Sequence, residues 1–354
     1  MARVLVTGGA GFIGSALIRH LLAETGHEVL NVDALTYAGS PAALAAAEAS
    51  PRYRFVRADV RDGTAMSAVI TDFRPRIIVH LAAETHVDRS IDAPAAFVST
   101  NVVGTAVLLA AALDHWRTLA ARERDAFRFH HVSTDEVFGA LGTSGVFTEA
   151  SRYDPRSPYS ASKAGADHLV AAYHHSYGLP TLVTHASNNY GPFQFPEKLI
   201  PLTIAKCLSD EPIPVYGTGT NVRDWLHVED HARALVAVFE RAAAGATYLA
   251  GARAERSNLA VVELICARLD MLRPRRDGRS HAERIAFVAD RPGHDFRYAL
   301  DPTRLEQATG WRPRIGFEDG LDATIRWYLD KEAWWRPLVD ERAAARRRGL
   351  AAVP

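Results

Sequence analysis

Short apolar runs and helix-spaced apolar positions alternate from the start of the chain. Val4-Leu5-Val6-Thr7 reads as a buried strand, and Leu17, Ile18, Leu21 and Leu22 fall on one face of the helix after it. The strand pattern returns at Glu28–Asp33, at 53–56 and at Ile77–His80. A long helix is expected from roughly 93 to 121, and Phe127, Phe129 and Val132 then lead a fifth strand. A helix opening at Ser157-Pro158 precedes a sixth strand at 181–184. Strands alternating with helices, joined by right-handed crossovers, predict an α/β fold: a Rossmann-type doubly wound parallel sheet.

Past Ser187 the rhythm changes to shorter elements and proline-rich turns. Helices are expected from Pro196 to Cys207, after Asp230, from Asn258 and over 316–335, with a short strand at 214–217 and a loop at 291–295. The expected division is a dinucleotide-binding domain over 1–187 with a returning segment near 222–245, a smaller C-terminal α/β substrate-binding lobe over 188–335, and a basic tail over 336–354. The arginine-rich run 342–348 reads as a solvated helix end, and no internal repeat is found.

The first strand runs straight into Gly8-Gly9-Ala10-Gly11-Phe12-Ile13-Gly14 and a helix. Glycines at 8, 11 and 14 allow a tight turn, bring bare backbone up to a pyrophosphate, and let helix pack closely on strand. The helix N-terminus then faces the anion. A glycine triplet alone is weak evidence, but here it lies between strand and helix, as the motif requires. The second strand ends in Asp33, placed to hold ribose hydroxyls, and no Arg or Lys follows at once, which favours NAD over NADP. Asp59 and Val60, after the third strand, either meet the adenine edge or supply a helix cap. Small Ala82 and Ala83 after the fourth strand allow a cofactor to lie against backbone, whereas Glu84 and His86 are ambiguous by themselves.

Charge adds an exclusion. Lys+Arg and Asp+Glu stand at 41 each, so nothing in the balance points to nucleic acid or a membrane surface as partner. Cys207 and Cys266 lack metal-ligand spacing, so they are expected to be reduced core thiols, with no metal site. No signal peptide and no apolar stretch of membrane-spanning length is seen, and a cytoplasmic protein is expected.

The stretch His131-Val132-Ser133-Thr134-Asp135-Glu136-Val137-Phe138-Gly139 places a hydroxyl pair and two adjacent carboxylates where a parallel strand ends, the usual ligand crevice of such sheets. Tyr159 and Lys163, four apart, share one helix face. A phenol with a pKa of roughly 10 is a poor base unless its anion is favoured, which Lys163 and an oxidised nicotinamide would do. Tyr159 then takes a substrate hydroxyl proton while Thr134 hydrogen-bonds the same oxygen. Alcohol oxidation alone leaves Asp135 and Glu136 without a role. A ketone at a sugar C4, however, acidifies the C5 proton for a carboxylate to remove, and a second carboxyl, kept protonated by its neighbour's charge, can protonate the departing C6 hydroxyl. An Asp-Glu after a strand is also an ordinary turn and cap, so the pair by itself decides little.

Longer runs are more specific. Ser-Thr-Asp-Glu-Val-Phe-Gly (133–139), His-Leu-Ala-Ala-Glu-Thr-His-Val-Asp-Arg-Ser (80–90), Ser-Asn-Asn-Tyr-Gly-Pro (187–192), Pro-Glu-Lys-Leu-Ile-Pro (196–201) and Arg-Asp-Trp-Leu-His-Val-Glu-Asp-His (223–231) together resemble the RmlB-type dTDP-glucose 4,6-dehydratases. These are extended short-chain dehydrogenase/reductases, and the likeness covers nearly the whole chain. It implies a hydro-lyase that uses NAD within each turnover to turn dTDP-glucose into dTDP-4-dehydro-6-deoxy-glucose. Asp135 would be the acid at the C6 hydroxyl, Glu136 the base at C5, and Tyr159, with Lys163 and Thr134, the base at the C4 hydroxyl. On the NAD side the resemblance implies Gly8, Gly11, Phe12, Ile13, Gly14, Asp33, Leu35, Thr36, Asp59, Val60, Leu81, Ala82, Ala83, Glu84, Thr85, Thr100, Tyr159, Lys163 and Asn189. On the sugar-nucleotide side it implies Thr85, Thr134, Asn188, Lys198, Leu199, Pro214, Val215, Tyr216, Arg223, Asn258, Asp290, Arg291, Pro292, Gly293 and His294. Arg223 and Arg291 offer forked donors suited to a diphosphate. His227, Phe193 and Phe195 depart from the expected Tyr, Tyr and His. The family pairs two helices per subunit into a homodimer bundle, here the 93–121 and 157–177 segments. Competing readings are an NAD-dependent nucleotide-sugar 4-epimerase, a 4,6-dehydratase preferring UDP-glucose, and a non-catalytic NAD-binding protein.

Overall fold

In the computed structural model, which describes residues 1–347, the strands of the first half follow the apolar runs. In chain order the strands are β1 (Arg3–Thr7), β2 (Glu28–Asp33), β3 (Tyr53–Arg57), β4 (Ile77–His80), β5 (Arg128–Thr134), β6 (Thr181–Ala186), β7 (Asn188–Tyr190), β8 (Ile213–Tyr216), β9 (Val222–His227), β10 (Thr247–Ala250), β11 (Glu255–Ser257) and β12 (Ile285–Val288). Seven of them form one sheet in the order β10-β6-β5-β4-β1-β2-β3, and every pair in it is parallel. The sequence pattern predicts six of these strands and misses β10. Its four residues register from Thr247 opposite Val183 to Ala250 opposite Ala186, after the chain has already visited the smaller lobe.

Helices cover both faces, so the inner strands are buried throughout, as β4 and β6 show. Alternation assigns Val4 and Val6 to one face with Leu17, Ile18, Leu21, Leu235 and Val238. Leu5 faces the other way, onto Ile70, Phe73, Leu108, Phe129 and Val170. The helix Val228–Arg241 packs on the helix Phe12–Glu24 and carries the chain back to the sheet. In the smaller lobe β11-β9-β7 and the parallel pair β12-β8 surround a third core, which holds Trp225, Tyr328 and Trp335 together with Cys207 and Cys266. The two thiols are free, 3.9 Å apart.

Three helices differ from expectation. The long helix runs from Pro94 to Thr118 and contains a π turn, Val98–Val103, before Gly104–Thr118. By length and mean hydropathy, 1.9 over its window, Pro94–Thr118 passes the test for a membrane span, contrary to the sequence reading. Half of it is buried within the fold, where Leu108, Leu109 and Ala112 join the second core. The terminal helix breaks into Phe317–Asp330 and Glu332–Arg347, because Trp335 folds back and its indole N–H donates to the Tyr328 carbonyl at 2.7 Å. The expected solvation of 342–348 lies outside the described side chains. Asp59 caps no helix: Asp62 caps Gly63–Phe73 by accepting from Ala65 N–H, while Asp59 pairs with Arg61.

Candidate active site

The carboxyl end of β5 opens beyond the sheet, and a single 3-10 turn, Asp135–Phe138, follows it at once. The Thr134 hydroxyl caps this turn by accepting from Glu136 N–H at 3.3 Å. Gly139 ends it at φ +76°, where a Cβ would stand 2.5 Å from the Asp154 carbonyl oxygen, so a side chain is excluded. The turn therefore fixes Asp135 and Glu136 side by side, but in unlike surroundings. Burial, then the Glu136 charge, push the Asp135 carboxyl well above the usual carboxylate range. Among the described residues its Oδ2 has no hydrogen-bond partner. Glu136 is also raised by burial, but Arg291, Arg223 and Lys198 pull it back. Among the leading influences on Asp135 only Arg223 is a cation. Both carboxyls are raised, Asp135 well above its ordinary value and Glu136 against three opposing cations, so the surroundings favour a proton on Asp135 over one on Glu136.

The helix Pro158–Tyr177 starts where Ser157 and Ser160 form a capping box and Pro158 takes the first helical position. Tyr159, in the first turn, is buried and edge-on to Phe97, with ring centroids 6.3 Å apart. Burial and the Glu136 charge push its phenol up, and the Thr134 hydroxyl works against them. Lys163 is not among the leading influences on the phenol. Its ammonium donates to the Val132 carbonyl at 2.9 Å and lies 3.3 Å from His131 Nε2, and burial brings it down to about 8.

On the other side of the crevice, Gly8 has φ +72° and its Cβ position falls 2.6 Å from Ala82 N, so the turn lies directly against the 81–85 loop. No side chain caps the helix Phe12–Glu24 and no acid occupies its first turn, which leaves the N–H groups of Phe12, Ile13 and Gly14 without intrahelical partners. A diphosphate fits this cradle. Asp33 is buried at the end of β2 and accepts from Ala10 N–H at 2.9 Å and Leu35 N–H at 2.7 Å. A carboxylate retains further acceptor capacity after two such bonds. These residues fit a dinucleotide such as NAD. Leu35 holds φ +53°, Thr36 accepts from Gly39 N–H, and Val60 is turned into the second core. The 81–85 loop is fastened by Asn101, which accepts from Glu84 N–H at 2.8 Å and donates to the Glu84 carbonyl and to Ser162 Oγ. The π turn brings Asn101 inward while its neighbour Thr100 stays half-exposed. Asn189 donates to the Ser187 carbonyl and is held by His231 at 3.0 Å.

The smaller lobe supplies the facing wall. Asn188 begins β7, Lys198 precedes the helix Leu199–Leu208, and Asn258 begins Asn258–Leu272. Tyr216, Asp290, Arg291 and His294 form one group: Arg291 lies over the Tyr216 ring at 5.8 Å, and His294 Nδ1 is 2.6 Å from Asp290. Pro292 and Gly293, at φ +66°, bend the loop between them. Pro214 is half-exposed on β8, whereas the Val215 side chain is buried in the third core, leaving only its backbone toward a ligand. Arg223 is less available than its fork suggests. It is buried, donates to the carbonyls of Val222, Phe296 and Asp295, and stacks on Tyr298 at 4.4 Å. Contacts bridge the crevice as well. Lys198 donates to the Thr85 carbonyl, Tyr37 to Glu197, and Asp88 meets both Tyr216 and Arg291.

The family model described as GDP-mannose 4,6 dehydratase matches residues 5–324. A dTDP-glucose 4,6-dehydratase of Xanthomonas campestris pv. campestris (strain B100) is 52% identical over 96% of this chain and 97% of its own. The chain belongs to the dTDP-glucose 4,6-dehydratase family. Among solved structures, the dTDP-glucose 4,6-dehydratase DesIV of Streptomyces venezuelae, crystallised with NAD, is 44% identical with a TM-score of 0.86, covering 95% of this chain and 99% of that one. The fold extends further: a Thermus thermophilus UDP-glucose 4-epimerase in complex with NAD gives 0.80 at 28% identity over 92% of this chain and 99% of its own. Within the 4,6-dehydratase framework, sequence reasoning left Asn101, Asp88 and Asp167 without a role. Asn101 is a lone amide on an apolar helix, and Asp167 repeats the four-residue step from Tyr159 to Lys163; both signals are present in the sequence.

Proposed function

We infer that the chain catalyses the 4,6-dehydration of dTDP-glucose, giving dTDP-4-dehydro-6-deoxy-glucose and water for deoxysugar synthesis. The observation that carries this reading is the divided carboxyl pair after β5, in a chain whose relatives at this level of identity are dTDP-glucose 4,6-dehydratases. NAD would be held by the 8–14 turn, Asp33 and the 81–85 loop; when bound it accepts two electrons and a hydrogen from C4 and later returns them to C6.

The chain's own groups move the protons. Tyr159 takes the C4 hydroxyl proton, with Thr134 on the same oxygen and the Lys163 charge one helical turn away. Glu136 removes the C5 proton once C4 is a ketone, and the cations facing Glu136 let it be ionised to do so. Asp135 delivers its proton to the C6 hydroxyl, which leaves as water, and Glu136 gives a proton back to C5 as hydrogen arrives at C6. Arg291, Lys198 and Tyr216 serve the nucleotide side, and Arg223 acts mainly as a buried cation beside the carboxyl pair. The division into an NAD-binding domain and a sugar-nucleotide lobe agrees with β10 and Val228–Arg241 returning to the first domain. A cytoplasmic location agrees with two neighbouring free thiols. A homodimer through the 94–118 and 158–177 helices agrees with the exposed Val98, Val103 and Tyr177.

Turnover of dTDP-glucose carrying deuterium at C4 tests this reading. The label should appear in the C6 methyl group of the product. A dTDP-galactose product retaining deuterium at C4 would indicate epimerisation and refute dehydration.

A further inference from the structure

Tyr159, Lys163 and Asp167 occupy successive four-residue steps of one helix, so all three lie along one face. Asp167 is buried at the far end of that face. Its Oδ2 accepts from Ser133 Oγ at 2.8 Å and Tyr153 OH at 3.1 Å and stands 3.0 Å from His185 Nε2. Its Oδ1 is 3.3 Å from His131 Nε2, and the same nitrogen is 3.3 Å from Lys163 Nζ. Among the described residues the Nδ1 atom of His185 has no partner, which assigns its ring proton to Nε2, toward the carboxylate, whereas His131 Nε2 accepts from the Lys163 ammonium and lies between it and Asp167 Oδ1. Donors converging on a buried carboxylate keep it ionised. Burial alone would raise Asp167, but His185 and His131 hold it far below the usual range.

We propose that Asp167 is the fixed counter-charge of Lys163, coupled to it through the His131 ring, and that the two are positioning residues which keep Lys163 charged and in place beside Tyr159. This rests on the reading of Lys163 given above. The groups acting on the ammonium are His80 from β4, His131 and the Val132 carbonyl from β5, and Asp167 from its own helix, with His185 and Tyr153 behind Asp167. Burial holds His80 and His131 below the ordinary histidine range, so neither carries positive charge near neutral pH. Asp167 is the anion that acts on Lys163 from behind. A buried lysine without such an anion would lose its proton at a lower pH.

The chain has four lysines, Lys163, Lys198, Lys206 and Lys331. Holoenzyme grown on lysine labelled with carbon-13 at Cε therefore gives four signals, and Lys163→Met identifies one of them. In Asp167→Asn the Lys163 titration midpoint should fall by about one pH unit. The alkaline limb of kcat should fall with it, KM for dTDP-glucose should stay, and Asp167→Glu should restore both midpoints. Should Asp167→Asn fail to fold, Ser133→Ala/Tyr153→Phe keeps the charged carboxyl and removes two donors whose positive ends offset it, and should raise the midpoint slightly; a fall would overturn the pairing. An unmoved Lys163 midpoint in a folded variant overturns the pairing. A moved midpoint with an unmoved kcat limb upholds the pairing and overturns instead the role given to Lys163 in the reaction.

Discussion

Glu136→Gln keeps the size of the side chain and removes its charge and its capacity to take a proton. Losing a positioned general base slows the step it serves by about 100- to 10,000-fold, or roughly 3–5 kcal/mol of barrier. The structure makes that loss selective. After burial, the Glu136 charge is the largest influence raising both the Tyr159 phenol and the Asp135 carboxyl. Its removal therefore eases the proton transfer to Tyr159 while it disables the transfer from C5. With dTDP-glucose the variant should oxidise C4 and stop there, so the reduced-nicotinamide absorbance rises and persists. Methyl formation, followed by proton NMR, should slow by about 100- to 10,000-fold. Stability should not fall, because burial already opposes the Glu136 charge. Water loss at the normal rate would refute the role of Glu136. A folded variant that no longer oxidises C4 would place Glu136 in the first step instead of the second.

Three further outcomes are expected. Asp135 holds its proton more tightly folded than unfolded, so folded-state stability declines as pH rises from about 4 through its raised value; Asp135→Asn should gain more in Tm over the parent at pH 8 than at pH 5, and equal gains would contradict the raised carboxyl. Asp88 meets Arg291 at 3.4 Å and Tyr216 at 3.3 Å across the crevice, and an exposed pair of this kind is worth about 0–1 kcal/mol. Asp88→Asn should therefore lower KM for dTDP-glucose by up to about fivefold with kcat unchanged, whereas a raised KM in steady-state assays would mean that the contact helps close the crevice. Val98→Glu/Val103→Glu places two charges on the exposed apolar stripe of the long helix and should convert the proposed dimer to monomer in sedimentation velocity; an unchanged sedimentation coefficient would refute a dimer through this helix.

Strands that alternate faces and glycines that cannot carry a side chain leave a mark on local sequence, and those parts of the fold were legible. The turn at Gly8 and the strands up to β6 follow from residues within a few positions of one another. What escaped depends on distant partners. The strand β10 is four residues long and exists because β6 offers a free edge. The π turn at 98–103 shifts the backbone hydrogen bonds by one residue, and nothing in the apolar spacing records that shift. Asp59 and Asp62 are equally good caps by residue type; the helix start chooses Asp62, and Arg61 occupies Asp59. The availability of Arg223 was overstated for the same reason. A forked cation looks like a phosphate ligand until the carbonyls of Val222, Phe296 and Asp295 are seen around it.

The fold and the Tyr-Lys pair leave the reaction undecided, since a 4-epimerase needs the same first oxidation and shares the architecture. The decision falls after C4 becomes a ketone. Returning hydrogen to C4 requires no acid or base near C5 and C6, whereas losing water there requires both at once, in opposite protonation states. Two adjacent carboxyls in identical surroundings would share one proton between their two titration steps, with nothing to assign it to either side chain. Here the turn after β5 gives Glu136 the company of Arg291, Arg223 and Lys198 and leaves Asp135 buried beside a negative neighbour. That asymmetry lets one side chain arrive protonated and the other ionised in the same turnover, and it comes from the smaller lobe, which contributes all three cations.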